Sequence, residues 1–293
     1  MNFVYYYHDT ASQEEFESVI RTIEKNYQIV SVEDMYRHIQ GEIKLKNSCV
    51  FTIDDGWLST YRYVFPAVVK LQIPITIFVS PKIILEEDNF WYFLFEYCNQ
   101  EKVKERLIQD GIFDSSVREY PLKLQLKELR IDTIIKYITE DIGYERLKTI
   151  PRGFINKNEL LEMADSGFVT VGAHTLEHPI LKNESHDRSH YEILQSVNEL
   201  SSLLNRRITT FAYPNGLSDV DFSSREMDFC REAGLLMAFS TNPGVIKSGE
   251  TNPFSIPRCG SLSRIRLGRL GMLIPSLAKQ ERIREEIRKR LIV

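Results

Sequence analysis

The sequence predicts an α/β fold, β–α units arranged around a parallel sheet, and three observations carry that expectation. Short runs rich in β-branched and aromatic residues alternate with stretches whose apolar residues recur at helical spacing, the alternation that covers both faces of a parallel sheet. Residues 50–53 (Val-Phe-Thr-Ile) suit a strand buried on both faces, and they lead directly into Asp54, Asp55 and Gly56. With 293 residues, 43% of them hydrophobic, the chain is long enough to bury such a core.

Taken in order, residues 3–7 (Phe-Val-Tyr-Tyr-Tyr) read as a first strand with His8 at its exit. Residues 11–26 place Phe16, Val19, Ile20 and Ile23 on one helical face; a short strand (28–32) and a short helix (33–40) follow. Beyond the run at 50–53, residues 58–71 form an amphipathic helix and residues 74–80 a strand bounded by Pro74 and Pro81. Between about 81 and 151 the strand signals fade and charged helical stretches (90–109 and 121–137) dominate. That is too long for an ordinary connection, so a helical insertion is expected. Its aromatic start, Phe90-Trp91-Tyr92-Phe93, suits core packing better than a sugar-stacking groove. The alternation resumes with a helix (157–166) ended by Gly167, then a strand (168–173) with His174 and His178 at its end. A helix (191–204), a strand (208–213), a helix (221–233) and strands at 235–240 and 254–258 complete the order. Residues 275–293 read as an amphipathic helix rich in Arg and Lys, expected to pack along one face; contact with an anionic membrane or a partner is the alternative.

Composition removes several classes of function. Lys plus Arg number 37 against 41 Asp plus Glu, a formal charge of −4, which argues against a general nucleic-acid binder. Cys49, Cys98, Cys230 and Cys259 are scattered and form no Cys-x-x-Cys pair, so neither a structural zinc knot nor a disulfide framework is expected. Reduced thiols, an opening segment without a basic leader and the lack of an apolar run of ~18 residues lead us to expect a cytoplasmic protein.

The chemistry is concentrated at strand ends, where barrel-like α/β folds carry their reactive groups. His174-Thr175-Leu176-Glu177-His178 sets two imidazoles four positions apart, a spacing that brings both to one side of a turn or compact loop. Asp55 would complete a two-His, one-Asp set with open positions, zinc being the first choice of metal. Two adjacent carboxylates need not do the same work: Asp54, left off the metal, is a candidate base for water. The turn at Tyr213-Pro214-Asn215-Gly216 offers backbone N–H groups to a developing oxyanion.

Together these residues resemble the polysaccharide deacetylase family, the NodB-homology domain. Its Thr-Phe-Asp-Asp-Gly motif appears as Thr52-Ile53-Asp54-Asp55-Gly56, and its His-Ser/Thr-x-x-His motif as His174-Thr175-Leu176-Glu177-His178. Its Arg-x-Pro-Tyr-Gly motif is matched in part by Ala212-Tyr213-Pro214-Asn215-Gly216. The resemblance implies a distorted parallel (β/α) barrel of about seven strands, forming one catalytic domain over residues 1–293 with the insertion inside it. It also implies metal-assisted removal of N-acetyl groups from an amino sugar. Asp54 is then the general base, Asp55, His174 and His178 hold the metal, and the turn around Asn215 binds the oxyanion. Three departures stand out. Ala212 replaces the arginine that braces the family's base. No histidine follows His190, where the family has a late histidine as general acid. The acidic residue near a late tryptophan is also missing, Trp57 and Trp91 being the only tryptophans. His8 resembles the Tyr-His that opens many members and becomes the candidate acid, whereas His186 and His190 are expected to be solvated. Two rivals remain: a metal-holding glycan binder with little or no turnover, which the departures motivate, and a hydrolase of another amide or ester on the same frame.

Overall fold

The computed structural model describes residues 1–260 and 275–292. Its hub is the strand β3 (Ser48–Ile53), buried at every position, as the apolar run requires. Around it lie β1 (Asn2–Tyr7), β2 (Gln28–Ile29), β4 (Ile75–Val79), β5 (Val169–Ala173), β6 (Thr210–Ala212) and β7 (Met237–Phe239). All pairings are parallel, in the order β1-β3-β4-β5-β6-β7, with β2 on the first two residues of β3. The sheet curls with helices around it, a distorted (β/α) barrel of the kind expected.

The strand expected at 254–258 takes a different form. Ile256 bridges Phe239 of β7 and Cys259 bridges Tyr5 of β1, each as a single parallel pair. Ile256 N–H donates to Ala238 O at 2.9 Å, and Cys259 N–H donates to Val4 O at 2.8 Å. Pro257 between them has no N–H, so a continuous ladder cannot form. The segment still stitches the last strand to the first.

Register sets the site. Tyr7 pairs with Ile53, so His8 and Asp54 leave their strands side by side, and Asp54 N–H donates to Tyr7 O at 3.0 Å. Val79 pairs with Ala173, and His174 N–H donates to Val79 O at 3.0 Å, which brings the second motif to the same rim.

Several helices differ from their expected bounds. The helix after β3 carries a π turn at Thr60–Val64 before Phe65–Leu71, because Pro66 cannot donate and the Phe65 N–H reaches back to Thr60 O. The two long helical stretches of the insertion are broken into Trp91–Leu94, Phe95–Tyr97, Gln100–Gln109, Leu122–Leu126 and Ile131–Ile142. Asn99 starts one of them as a cap, accepting from the Lys102 N–H. The helix expected from 191 begins at His186, where the Ser185 hydroxyl accepts from the Arg188 N–H.

Four apolar clusters result among the described residues, two of them large. Phe16, Phe51, Ile77 and Phe211 belong to the barrel core, while Val103, Leu107, Ile134 and Ile138 form a second one inside the insertion. The C-terminal helix, Pro275–Arg288, sends Ile287 into that second core. Its Arg284 pairs with Glu128 and Asp221, Arg288 pairs with Glu128, and Arg290 donates to the Tyr120 hydroxyl at 2.6 Å. None of the four cysteines is in a disulfide, and no helix among the described residues is long and apolar enough to cross a membrane.

Candidate metal centre and active-site cleft

Asp54, Asp55, His174 and His178 line one cleft of about 440 Å³, together with His8, Trp57, Trp91, Tyr92, Lys127 and Asn215. The sequence motifs therefore converge as their strand ends predicted. Local backbone geometry is unusual there: Asp55, Thr175, His178 and Asn215 all have positive φ, between 54° and 74°. Non-glycine residues hold that conformation only where surrounding contacts over-determine it, and such strain gathers at functional sites.

Within the cleft Asp55, His174 and His178 offer three ligand atoms within 4.8 Å of one another. The His174 Nδ1 lies 2.7 Å from Ala212 O, a carbonyl that can only accept, so Nδ1 carries the proton and Nε2 presents a lone pair. That Nε2 is 3.4 Å from Asp55 Oδ1, and the His178 Nε2 is 3.6 Å from the same oxygen. Asp55 Oδ1 is buried and has no hydrogen-bond partner. Lone pairs facing one another in a dry site need a positive charge between them, either a proton on a ring or a metal ion. Burial, reinforced by His174, pulls His178 down to about 3, so this ring stands neutral at ordinary pH. Burial also resists ionisation of Asp55, but the two imidazoles outweigh it and hold the carboxyl well below its usual range. A neutral imidazole beside an ionised, unpartnered carboxylate is what a divalent cation requires. Trp57 fixes the other oxygen, its Nε1–H donating to Asp55 Oδ2 at 3.1 Å.

The loop carrying the two histidines is tied from behind. Glu192 Oε2 accepts from the N–H groups of Leu176 and Glu177 at 2.9 and 3.2 Å, and the Thr175 hydroxyl accepts from the His178 N–H at 3.0 Å. Phe90 and Tyr92 pack edge-on against the His178 ring at 5.5 and 5.1 Å between centroids. The aromatic start of the insertion thus serves both packing and the site: Phe90 and Trp91 are buried, and Trp91 and Tyr92 also line the cleft.

Asp54 has a counter-charge that no motif contained. Arg258 donates to Asp54 Oδ1 at 2.7 Å through NH1 and to Oδ2 at 2.9 Å through NH2, a bidentate pair with both side chains buried. Arg258 also donates to Ser240 O through Nε, and its guanidinium lies over the Tyr6 ring. Burial opposes ionisation of Asp54, yet Arg258, with His174 and His8, brings its pKa below the ordinary carboxylate value. The arginine missing at position 212 is thus replaced in space by one that arrives from the segment closing the barrel. A sequence reading confined to motif neighbours could not find it.

His8 lies in the cleft, half exposed, with Nε2 4.0 Å from Asp54 Oδ2 and its ring edge-on to Tyr6. His186 is exposed, and His190 pairs with Glu232 at 3.2 Å; both rings pack on Phe229 in the helix His186–Leu204 and its neighbour, away from the cleft.

The third turn is only partly as expected. Tyr213 is buried, stacked on Phe222 at 3.7 Å, with its hydroxyl donating to Phe254 O and its N–H to Phe239 O. It belongs to the core. Pro214 has no N–H, and the Gly216 N–H folds back onto Pro214 O. At Gly216 a Cβ would stand 2.8 Å from Tyr213 O, so only glycine fits the turn. Of these four residues Asn215 alone lines the cleft, and its N–H has no hydrogen-bond partner among the described residues.

Comparison with known proteins follows the same lines. A family model described as polysaccharide deacetylase matches residues 42–229. No curated protein sequence matches the chain. Among solved structures, IcaB from Ammonifex degensii is similar at 17% identity and a TM-score of 0.59, over 98% of this chain and 97% of that one. The Streptococcus pyogenes deacetylase PplD, solved with acetate, is similar at 16% identity and a TM-score of 0.58, over 93% and 97%. A de-N-acetylase from Aggregatibacter actinomycetemcomitans gives 13% identity and a TM-score of 0.60, over 95% and 99%. At such identities these likenesses speak for the fold, and the family assignment rests on the matched model, which spans all three motifs. The chain belongs to the polysaccharide deacetylase family.

Proposed function

We propose that this protein is a metal-dependent hydrolase that removes an N-acetyl group from an amino sugar of a glycan or glycan precursor. The observation that carries the reading is the buried, unpartnered Asp55 Oδ1 between the two imidazole Nε2 atoms of His174 and His178. A divalent cation held by these three residues, zinc being the first choice, would polarise the acetyl carbonyl and acidify water. Asp54, kept ionised by Arg258, accepts the proton that the attacking water gives up. The Asn215 N–H stands at the cleft to meet the developing oxyanion. His8 then protonates the departing nitrogen, so that the products are a free amine and acetate. A cytoplasmic location, an N-acetylated carbohydrate as substrate and no nucleic-acid partner belong to the same proposal. Membrane contact by the C-terminal helix has less to work with, because Arg284, Arg288 and Arg290 all bond inward.

The rival reading, a member that holds metal and glycan without turnover, was motivated by a missing arginine and a missing late histidine. Arg258 paired with Asp54, and His8 Nε2 4.0 Å from the same carboxylate, support the hydrolytic reading over this rival. The deciding experiment measures acetate release from N-acetylated oligosaccharides with zinc, cobalt or nickel; no release with any metal would sink the hydrolytic reading. The role of His8 separates by leaving group. His8→Gln is expected to impair an amide far more than an activated acetate ester at equal metal content, because only the amine needs a proton to leave. Equal losses on both substrates would assign His8 a structural role.

A further inference from the structure

The wall of the cleft that the insertion supplies has a charge the deacetylation mechanism does not use. Lys127 follows the short helix Leu122–Leu126, lines the cleft, and donates from Nζ to Asn215 Oδ1 at 2.8 Å. Among the described residues it makes no ion pair. The two acids whose charge reaches it, Asp221 and Glu128, are both held by Arg284, and Glu128 also by Arg288. Lys123, one helical turn earlier, lines the same cleft with its ammonium 5.7 Å from the Phe95 ring centroid. Two cations on one wall without an acid partner repel each other.

Among the described residues no other acid of the cleft pairs with either of them. Asp54 is paired with Arg258, Asp55 faces the two histidines, and Asp9 accepts from Ser59 and from the Thr10 N–H. Burial, helped by Arg284 and Lys123, pulls the Lys127 ammonium down to about 8 against the attraction of Asp221 and Glu128. A second observation points the same way. Because Lys127 can only donate, Asn215 Oδ1 must be the acceptor, which leaves the Asn215 amide nitrogen as a donor. That Nδ2 is buried and has no partner. An ammonium with unused protons and an unmatched amide donor therefore stand together beside the metal-binding residues.

We propose that Lys127 and Asn215 form an anion-recognition arm, and that the amino sugar this protein acts on carries an acidic group, a phosphate or a carboxylate. The inference rests on the deacetylase reading for the sugar, but the arm itself is tested by binding alone. An anion seated there would return to Lys127 the counter-charge that the fold withholds, and its oxygens would accept from Lys127 Nζ and Asn215 Nδ2.

The test is a proton NMR titration of the full chain with three probes: N-acetylglucosamine 1-phosphate, N-acetylmuramic acid and neutral methyl N-acetylglucosaminide. At least one anionic probe is expected to bind roughly tenfold or more tightly than the neutral one, the range for a charge-assisted hydrogen bond. Which of the two does so identifies the acid as phosphate or carboxylate. Lys127→Met is expected to bring the ratio close to one, and Lys127→Arg to keep most of it; the thermal melts of both variants report whether the fold survives. Equal binding of all three probes by the wild type would overturn the proposal. So would a preference that persists in Lys127→Met, since the anion would then be held elsewhere, on the metal for example. Acetate release from the N-acetylated oligosaccharides with zinc, cobalt or nickel judges the other reading separately. A preference here without release there leaves the arm standing and sinks the deacetylase, whereas release without a preference does the reverse.

Discussion

A carboxylate buried as deeply as Asp54 ionises only with a counter-charge in contact, and Arg258 occupies both of its oxygens. Removing one partner leaves the other charge uncompensated in a dry place. Arg258→Met is therefore expected to lose about 3–5 kcal/mol of stability in urea unfolding, and its turnover should fall at unchanged metal content. Asp54→Asn should retain metal and lose turnover, because an amide cannot take a proton from water. By contrast, His178→Ala removes a ligand, so elemental analysis should find most of the metal gone; full occupancy would remove that residue from the site. At this scale the sequence was legible wherever chemistry sits in neighbouring positions. Asp54, Asp55, His174 and His178 could be read because two short motifs hold all four. Arg258 could not, since its partner is 204 residues away and only barrel closure brings them together. The turn at Tyr213 was visible because its residues are neighbours, but not that the Tyr213 N–H is taken by Phe239 O, a partner on another strand.

Elements were legible as kinds and less so as lengths. Every strand expected before residue 240 exists, and their parallel order followed from alternation with helices. Bounds shifted where a side chain or a proline overrode periodicity, as at Ser185, Asn99, Pro66 and Pro257. The loop between β5 and the helix His186–Leu204 shows why such detail matters to chemistry. Glu192, well inside that helix, accepts from two N–H groups of the loop that carries His174 and His178. Glu192→Ala is expected to weaken metal binding about 10–100-fold, the usual effect of removing a supporting partner. A competition titration with a chromophoric chelator measures this. Unchanged affinity would mean that packing by Phe90 and Tyr92 alone holds the loop.

Over the whole molecule, the insertion and the C-terminal helix form one layer of contacts on the barrel. Arg284 is buried between Glu128 of the insertion and Asp221 in the turn that precedes the helix Ser224–Glu232. Arg284→Ala would strand two acids together, at about 3–5 kcal/mol. For a chain of this size that corresponds to a fall in melting temperature of roughly 6–20 °C, read by calorimetry. A shift of a degree or less would mean that the two acids find water or other partners. The insertion's helical character was visible in the sequence, but its docking was not, because it depends on ion pairs between segments far apart along the chain.

The Arg258–Asp54 pair also has a consequence for the order in which the protein comes into being. During synthesis the metal-binding set is complete once His178 has emerged, whereas the counter-charge of the base arrives only with residue 258. A nascent or truncated chain ending between those points has all three metal ligands and a base with no guanidinium beside it. On the proposed mechanism such a product could gather metal but would lack the contact that keeps its base ionised. Hydrolytic competence would then wait until the segment carrying Arg258 has joined the last strand to the first.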